Sequence, residues 1–343
     1  MRKTLTIVLL LAGGLNAESS RAQTPDAPLE EIVVTGEFAG PGMWQVTHPD
    51  HPGHTLWIVG DPPPLPNHLR WRSQKVERVA SQSQEILLQP SVSLKPDEEM
   101  GVFRMLTLVP AALKLRKNPD KARLEDLIPP DVYARWLVQK KKFLGRDSGV
   151  ERWRPFLVAE KLREEALKDL QLNPGWAVFN TIATLVETNK IPVTTPNLAF
   201  TFKADEVRGK IKALSRERLA DTECFATTIA LTEALSDKQL AEDRARAWAT
   251  GDLAKLQELP RLPNPDAPCF AAILSTQAMS ETVPADLPKQ MDEMWLAAAA
   301  NGLKKNESTL AVVQLDDLLR DEGYLESLRE RGYEILAPGV EEP

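Results

Sequence analysis

Three carboxylates, Asp61, Asp316 and Asp317, stand where apolar runs of the sequence give out into turns. Asp61 follows the run 55–59 and Gly60, and Asp316 and Asp317 follow the run 310–315. Carboxylates converging from separate strand ends, with Glu85 as a further partner, would form a pair able to hold a hard cation or to divide acid and base duties. The same residues have a plainer use, Asp61 capping a turn and Asp316 capping the helix that follows. Gly60 would let the backbone approach a ligand closely or turn with positive φ. Yet the segment continues Pro62-Pro63-Pro64. Ligands of an α/β sheet sit at the carboxyl ends of its strands. Proline there donates no proton, ligates no metal and lacks even a backbone N–H.

Three of the four histidines, His48, His51 and His54, recur at three-residue spacing, the pattern of a metal clip. They share a short loop with Pro49, Pro52 and Gly53, and no helix is there to hold the imidazoles on one face, so a solvated hairpin tip is the stronger reading. No metal ligand set and no cofactor is expected. The two cysteines, Cys224 and Cys269, fall in helical patterns without histidine neighbours, which favours a disulfide over a catalytic thiol or a metal site. The loop so closed would add about 4 kcal/mol in the chain-entropy account.

The elements that must position these groups follow from periodicity. Residues 43–46 and 55–60 read as a hairpin packed through Trp44 and Trp57. The run Glu85-Ile86-Leu87-Leu88-Gln89 reads as a second buried strand and 190–194 as a short parallel strand returning to the sheet, with 310–314 and 333–336 closing it around a helix at 316–331. Between Glu98 and Leu256 helical periodicity dominates, with helices at 106–115, 131–142, 155–172, 176–188, 215–235 and 237–249, and a further helix at 289–303. Gly251 stops the 237–249 helix and Asp252 caps the next turn. The expected fold is mixed α/β and helix-rich, a central sheet built from N- and C-terminal strands, flanked by helices and carrying a large helical insertion.

The N-terminus, Met1-Arg2-Lys3 and then an apolar stretch to Leu15, has the form of a secretory signal peptide with cleavage after Ala22. About eleven apolar residues cannot cross a bilayer that needs roughly twenty, so the chain is not expected to be an integral membrane protein. The predicted organisation is a signal peptide at 1–22, a flexible arm at 23–40, one domain at 41–337 and a tail at 338–343. The formal charge of −7, without basic clusters, argues against nucleic acid as a partner. The address is periplasmic or secreted. Within the arm, the string from Glu30 to Gly36 (Glu-Glu-Ile-Val-Val-Thr-Gly) resembles the segment behind the signal peptide of TonB-dependent receptors, where a partner adds as a strand; a flexible arm is the plainer reading.

Several strings along the chain resemble one family. Met43-Trp44, the first buried strand, Leu65-Pro66, Trp248-x-x-Gly251-Asp252, Trp295 and the closing strand-helix-strand are similar to the framework of the TraB/GumN family, related to the Tiki metallopeptidases and to a haem-binding lipoprotein group. The resemblance spans about 41 to 336. It implies a divalent ion held by two histidines and a glutamate that activates water. At those positions this chain carries Pro63, Gln89 and Asp317, with Thr195 and Met291 replacing an acid and an arginine. The expected function is therefore that of an exported, non-catalytic binding or accessory protein of the cell envelope, its partner a protein, a peptide or a small molecule. The alternative is a metal-dependent hydrolase or peptidase with a rebuilt carboxylate site. The candidate cleft comprises Gly60, Asp61, Pro63, Gln89, Asp316 and Asp317.

Overall fold

Two apolar runs from opposite ends of the chain lie side by side as parallel strands in the computed structural model, which describes residues 40–97 and 102–339. These all belong to one compact unit, Glu37–Pro343. The predicted signal peptide, the Glu30 to Gly36 string and the end of the tail lie outside the described residues.

Among the described residues the strands are β1 (Met43–Thr47), β2 (Thr55–Asp61), β3 (Leu65–Pro66), β4 (Glu85–Leu88), β5 (Ser91–Pro96), β6 (Leu172–Asn173), β7 (Val193–Thr194), β8 (Asn197–Phe202), β9 (Ser308–Gln314) and β10 (Glu334–Leu336). Six form the central sheet in the order β10-β1-β2-β9-β4-β7. β1 is antiparallel to both β2 and β10, whereas β2, β9, β4 and β7 are mutually parallel. Their carboxyl ends therefore open in one direction. β9 is buried without alternation from Thr309 to Val313, as a parallel strand covered on both faces must be.

The covering helices can be assigned to faces from two neighbouring residues. The Thr309 side chain lies against Gly302 of the Leu287–Lys305 helix. The Ser308 hydroxyl meets that of Ser83, at the end of the Gln74–Gln82 helix, at 3.1 Å. Successive strand residues point to opposite faces, so these helices lie on opposite sides of the sheet. The Ala177–Asn189 helix packs beside Gln74–Gln82.

A second core fills the helical insertion, around Leu124, Trp136, Val158, Leu162, Phe225 and Ile229. A disulfide between Cys224 and Cys269, Cα atoms 4.5 Å apart, joins the Thr222–Leu235 helix to Asp266–Leu274, as the sequence implied. The insertion is tied to the sheet by β3 with β6, and by β5, which runs on from β4 and pairs in parallel with β8.

Three expectations need correction. The helix expected at 215–235 begins only at Thr222, because the buried Arg154 guanidinium takes the Leu214 and Glu217 carbonyls at 2.7 and 2.9 Å, and a separate helix, Val207–Leu214, precedes it. The helix expected at 316–331 divides, into Leu315–Leu319 and Tyr324–Glu330. Glu322 there has φ 57°, and Gly323 fits where a Cβ would come within 2.5 Å of the Asp317 carbonyl. The insertion also contains β6, β7 and β8, of which only β7 was read from the sequence. Lys140 turns into the second core. Its ammonium pairs with the buried Glu151 carboxylate at 2.5 Å, which the Trp136 indole also reaches at 3.2 Å.

Candidate functional site

Past the carboxyl ends of β2, β4 and β9 lies a cleft of about 1120 Å³ between the sheet and the insertion. Pro62, Pro63 and Pro64 form one rim, and Gln89 and Pro90 continue from β4. Gln314, Asp316 and Asp317 enter from β9, and the far wall comes from the Pro155–Asp169 and Asp266–Leu274 helices. Of the six residues proposed for the cleft, four line it: Pro63, Gln89, Asp316 and Asp317.

Gly60 and Asp61 do not line it, and each is used inside the fold. A Cβ on Gly60 would come within 2.6 Å of the Leu315 side chain and 3.1 Å of its Cα. The close approach that this glycine permits is thus to the Leu315–Leu319 helix rather than to a ligand. Its carbonyl accepts the Trp248 indole N–H at 2.9 Å. Asp61 is 2% exposed, and its two oxygens accept the backbone N–H groups of Trp176 and Val178 at 2.6 and 2.9 Å. It caps the Ala177–Asn189 helix from across the fold, supplying acceptors to amides that have no partner within the helix. Burial raises the Asp61 carboxyl above its ordinary range, and these two hydrogen bonds work in the opposite direction. Glu85 is also absent from the cleft. It opens β4, at the other end of the sheet, and bonds Thr194 and Asn306.

The cleft charges are partly paired. Arg320 reaches Asp292 at 2.8 Å and Asp317 at 3.8 Å, and Arg163 reaches Glu160 at 2.9 Å and Asp266 at 3.6 Å. Asp316 has no ion pair within 4 Å among the described residues; Arg244 and Arg261 act on it only at longer range. Asp316 keeps solvent contact, yet crowding by the cleft walls raises its pKa, against the pull of those two arginines. Desolvation raises Asp317 as well, opposed by Arg320.

The ion implied by the family resemblance does not fit these donors. Pro63 offers none, Gln89 is neutral, and Asp317 faces the Arg320 guanidinium. Among the described residues no three His, Cys, Asp or Glu side chains converge closely enough to hold a metal. At the hairpin tip, His54 Nδ1 lies 2.9 Å from the Leu303 carbonyl, and His48 Nδ1 accepts the Asp50 N–H at 3.2 Å.

Sequence reasoning missed Trp176, which lines the cleft 40% exposed in the left-handed region, φ 61°. Pro174-Gly175 marks only a break in the sequence, and nothing local shows that Asp61 holds the next residue there. Tyr324, Asp292 and Arg320 were missed too; Tyr324 is pushed up by burial and by Asp292 and stacks on Trp295 at 4.1 Å. No described helix is long and apolar enough to cross a membrane.

The fold and site define a mixed α/β protein with a cleft at the carboxyl ends of its parallel strands, roofed by an inserted helical layer. The chain belongs to the TraB/PrgY/gumN family, whose model matches residues 42–337. No curated protein and no solved structure gave a significant match. The framework strings have structural roles here. Trp248 holds the end of β2, Gly251 (φ 69°) abuts Gly40 and Gly42 at the entry to β1, and Asp252 accepts the Lys255 N–H at 2.9 Å.

Proposed function

We propose that this chain is an exported, non-catalytic member of its family, a binding or accessory protein of the cell envelope that uses the strand-end cleft. The observation that carries the reading is the cleft lining. Pro63, Gln89 and Asp317 line the cleft where the resemblance calls for two histidines and a glutamate; the first offers no ligand, the second is neutral, and the third faces Arg320. A cleft outlives its chemistry when the framework that shapes it is retained, since fold and function are separable. The disulfide supports an oxidising compartment, in keeping with the signal-like N-terminus. The cleft residues of the proposal are Pro63, Gln89, Asp316 and Asp317.

Thermal melting of the mature chain, residues 23–343, in chelator and then in Mn²⁺, Co²⁺, Zn²⁺ or Ca²⁺ tests this. A bound ion at a hundred times its dissociation constant would add about 2.7 kcal/mol. No shift and no turnover of a peptide mixture is the expected outcome. A shift abolished by Asp316→Asn or Asp317→Asn, together with ion-dependent hydrolysis, would restore the alternative, a hydrolase with a rebuilt carboxylate site.

A further inference from the structure

Among the described residues, the edge of β5 that faces away from β8 has no strand beside it. β5 continues from β4 and β8 follows β7, so the unpaired side of β5 lies where β9 would run if it went on. β9 ends at Gln314 and turns into the Leu315–Leu319 helix, which brings Asp316 and Asp317 to the head of that side. Ser91 and Val92 point their side chains to opposite faces, yet both line the cleft, as residues at an open edge do.

The backbone direction can be read from the ends of β5. Ser91 N–H donates to the Pro196 carbonyl at 2.8 Å and Asp97 N–H to that of Phe202 at 2.9 Å. Odd-numbered residues therefore serve β8, and Val92 and Leu94 turn their N–H and C=O groups to the free edge. An unpaired edge of this kind is a template for another extended chain. Charge complementarity selects among such chains. Arg163 and Arg320 are each engaged by two carboxylates, so the cleft keeps an acidic surplus, and Asp316 keeps an acceptor without an ion pair among the described residues. The exposed Trp176 indole adds an aromatic face suited to an apolar or cationic side chain.

We propose that the cleft binds an extended peptide segment of a partner protein, added as a strand to β5 through Val92 and Leu94, with a lysine or arginine of the peptide on Asp316. The proposal rests on the non-catalytic reading of the same cleft, and it names the partner's chemistry.

The test selects binders from randomised peptides of six residues, the length of β5, on the immobilised mature chain. Selected sequences are then measured by fluorescence anisotropy. A lysine or arginine is expected at one fixed position. Neutralising it, or Asp316→Asn, should weaken binding about tenfold, the worth of a charge-assisted hydrogen bond. Val92→Pro removes a donor from the free edge while the odd-numbered residues keep β8, and should weaken binding comparably; N-methylation of alternate peptide amides tests the same bonds without touching the protein. Selection no better than background, binders without a basic residue that ignore Asp316→Asn, or indifference to N-methylation at every position would each overturn the proposal. Failure of the parent reading looks different. Peptides that are cut in the presence of a divalent ion would refute the non-catalytic function, whereas peptides neither bound nor cut would refute the strand addition alone.

Discussion

The Asp61 carboxylate accepts the Trp176 backbone N–H at 2.6 Å across a sequence separation of 115 residues. One bond thereby fixes the end of β2, the start of the Ala177–Asn189 helix and the left-handed tryptophan at the cleft. Asp61→Ala removes the acceptors for both Trp176 and Val178. It should lower unfolding stability by about 1–2 kcal/mol, the scale of a lost N-cap. Asp61→Asn retains one acceptor and turns an NH₂ toward the second donor, so it should recover only part of the loss. Urea unfolding of the two variants checks this order; equal stability of Asp61→Ala and the native chain would contradict the capping role.

Gly60 and Leu315 meet on the other side of β2. Gly60→Ala forces a methyl group against both the side chain and the backbone of Leu315. Overpacking of a buried site should cost about 1–3 kcal/mol. Leu315→Ala relieves the crowding by the side chain and leaves that by the backbone, so the double variant should be less destabilised than the sum of the two singles. Strict additivity in thermal melts would show that the helix shifts freely and that the glycine is not needed for it.

How much of this was legible in the sequence depended on whether a residue's partner was local. The strands at 55–60 and 310–314 were readable because parallel strands buried on both faces appear as unbroken apolar runs. Gly251 and Asp252 were readable because a helix stop and an N-cap act within a few residues. In the sequence Asp61 reads as capping its own turn, whereas it caps a helix in the insertion, and no pattern links the two. Arg154 holds the stretch ahead of Thr222 out of an expected helix by taking carbonyls from residues 60 and 63 positions away. In the cleft, the strand ends pointed to Pro63, Gln89, Asp316 and Asp317. Trp176, Asp292 and Arg320 arrive there only through tertiary packing.

Glu151 and Lys140 form an ion pair inside the helical insertion, with side chains 4% and 14% exposed. Glu151→Gln leaves the Lys140 ammonium without its counter-charge and weakens the bond from the Trp136 indole. Breaking a buried pair from one side costs about 3–5 kcal/mol. Because the pair is shielded from solvent, raising the salt concentration should alter the native stability little. Replacing both partners by apolar residues should restore much of the loss, since neither charge is then buried alone. Denaturant melts of the single and double variants decide the point; a Glu151→Gln protein as stable as the native one would mean that water reaches Lys140.

Asp316 gives a pH dependence whose sign is fixed by its raised pKa. In the folded chain the carboxyl holds its proton at pH values where the unfolded chain, with an ordinary value near 3.8, has lost it. The folded state thus binds more protons in that window, and stability falls as pH rises through it. The contribution is present in full below the unfolded value and is lost as pH passes the folded one. Asp316→Asn cannot ionise and lacks this dependence. The stability of the native chain relative to Asp316→Asn should be greatest at the acid end and should decline toward neutral pH. Paired melts from about pH 4 to pH 7 cover the ordinary carboxylate range and the region above it. A difference that grows with pH would mean that Arg244 and Arg261 hold Asp316 ionised, and would require a direct ion pair in solution. A saturating basic peptide should reverse the trend, since its cation favours the carboxylate and draws the Asp316 pKa back down.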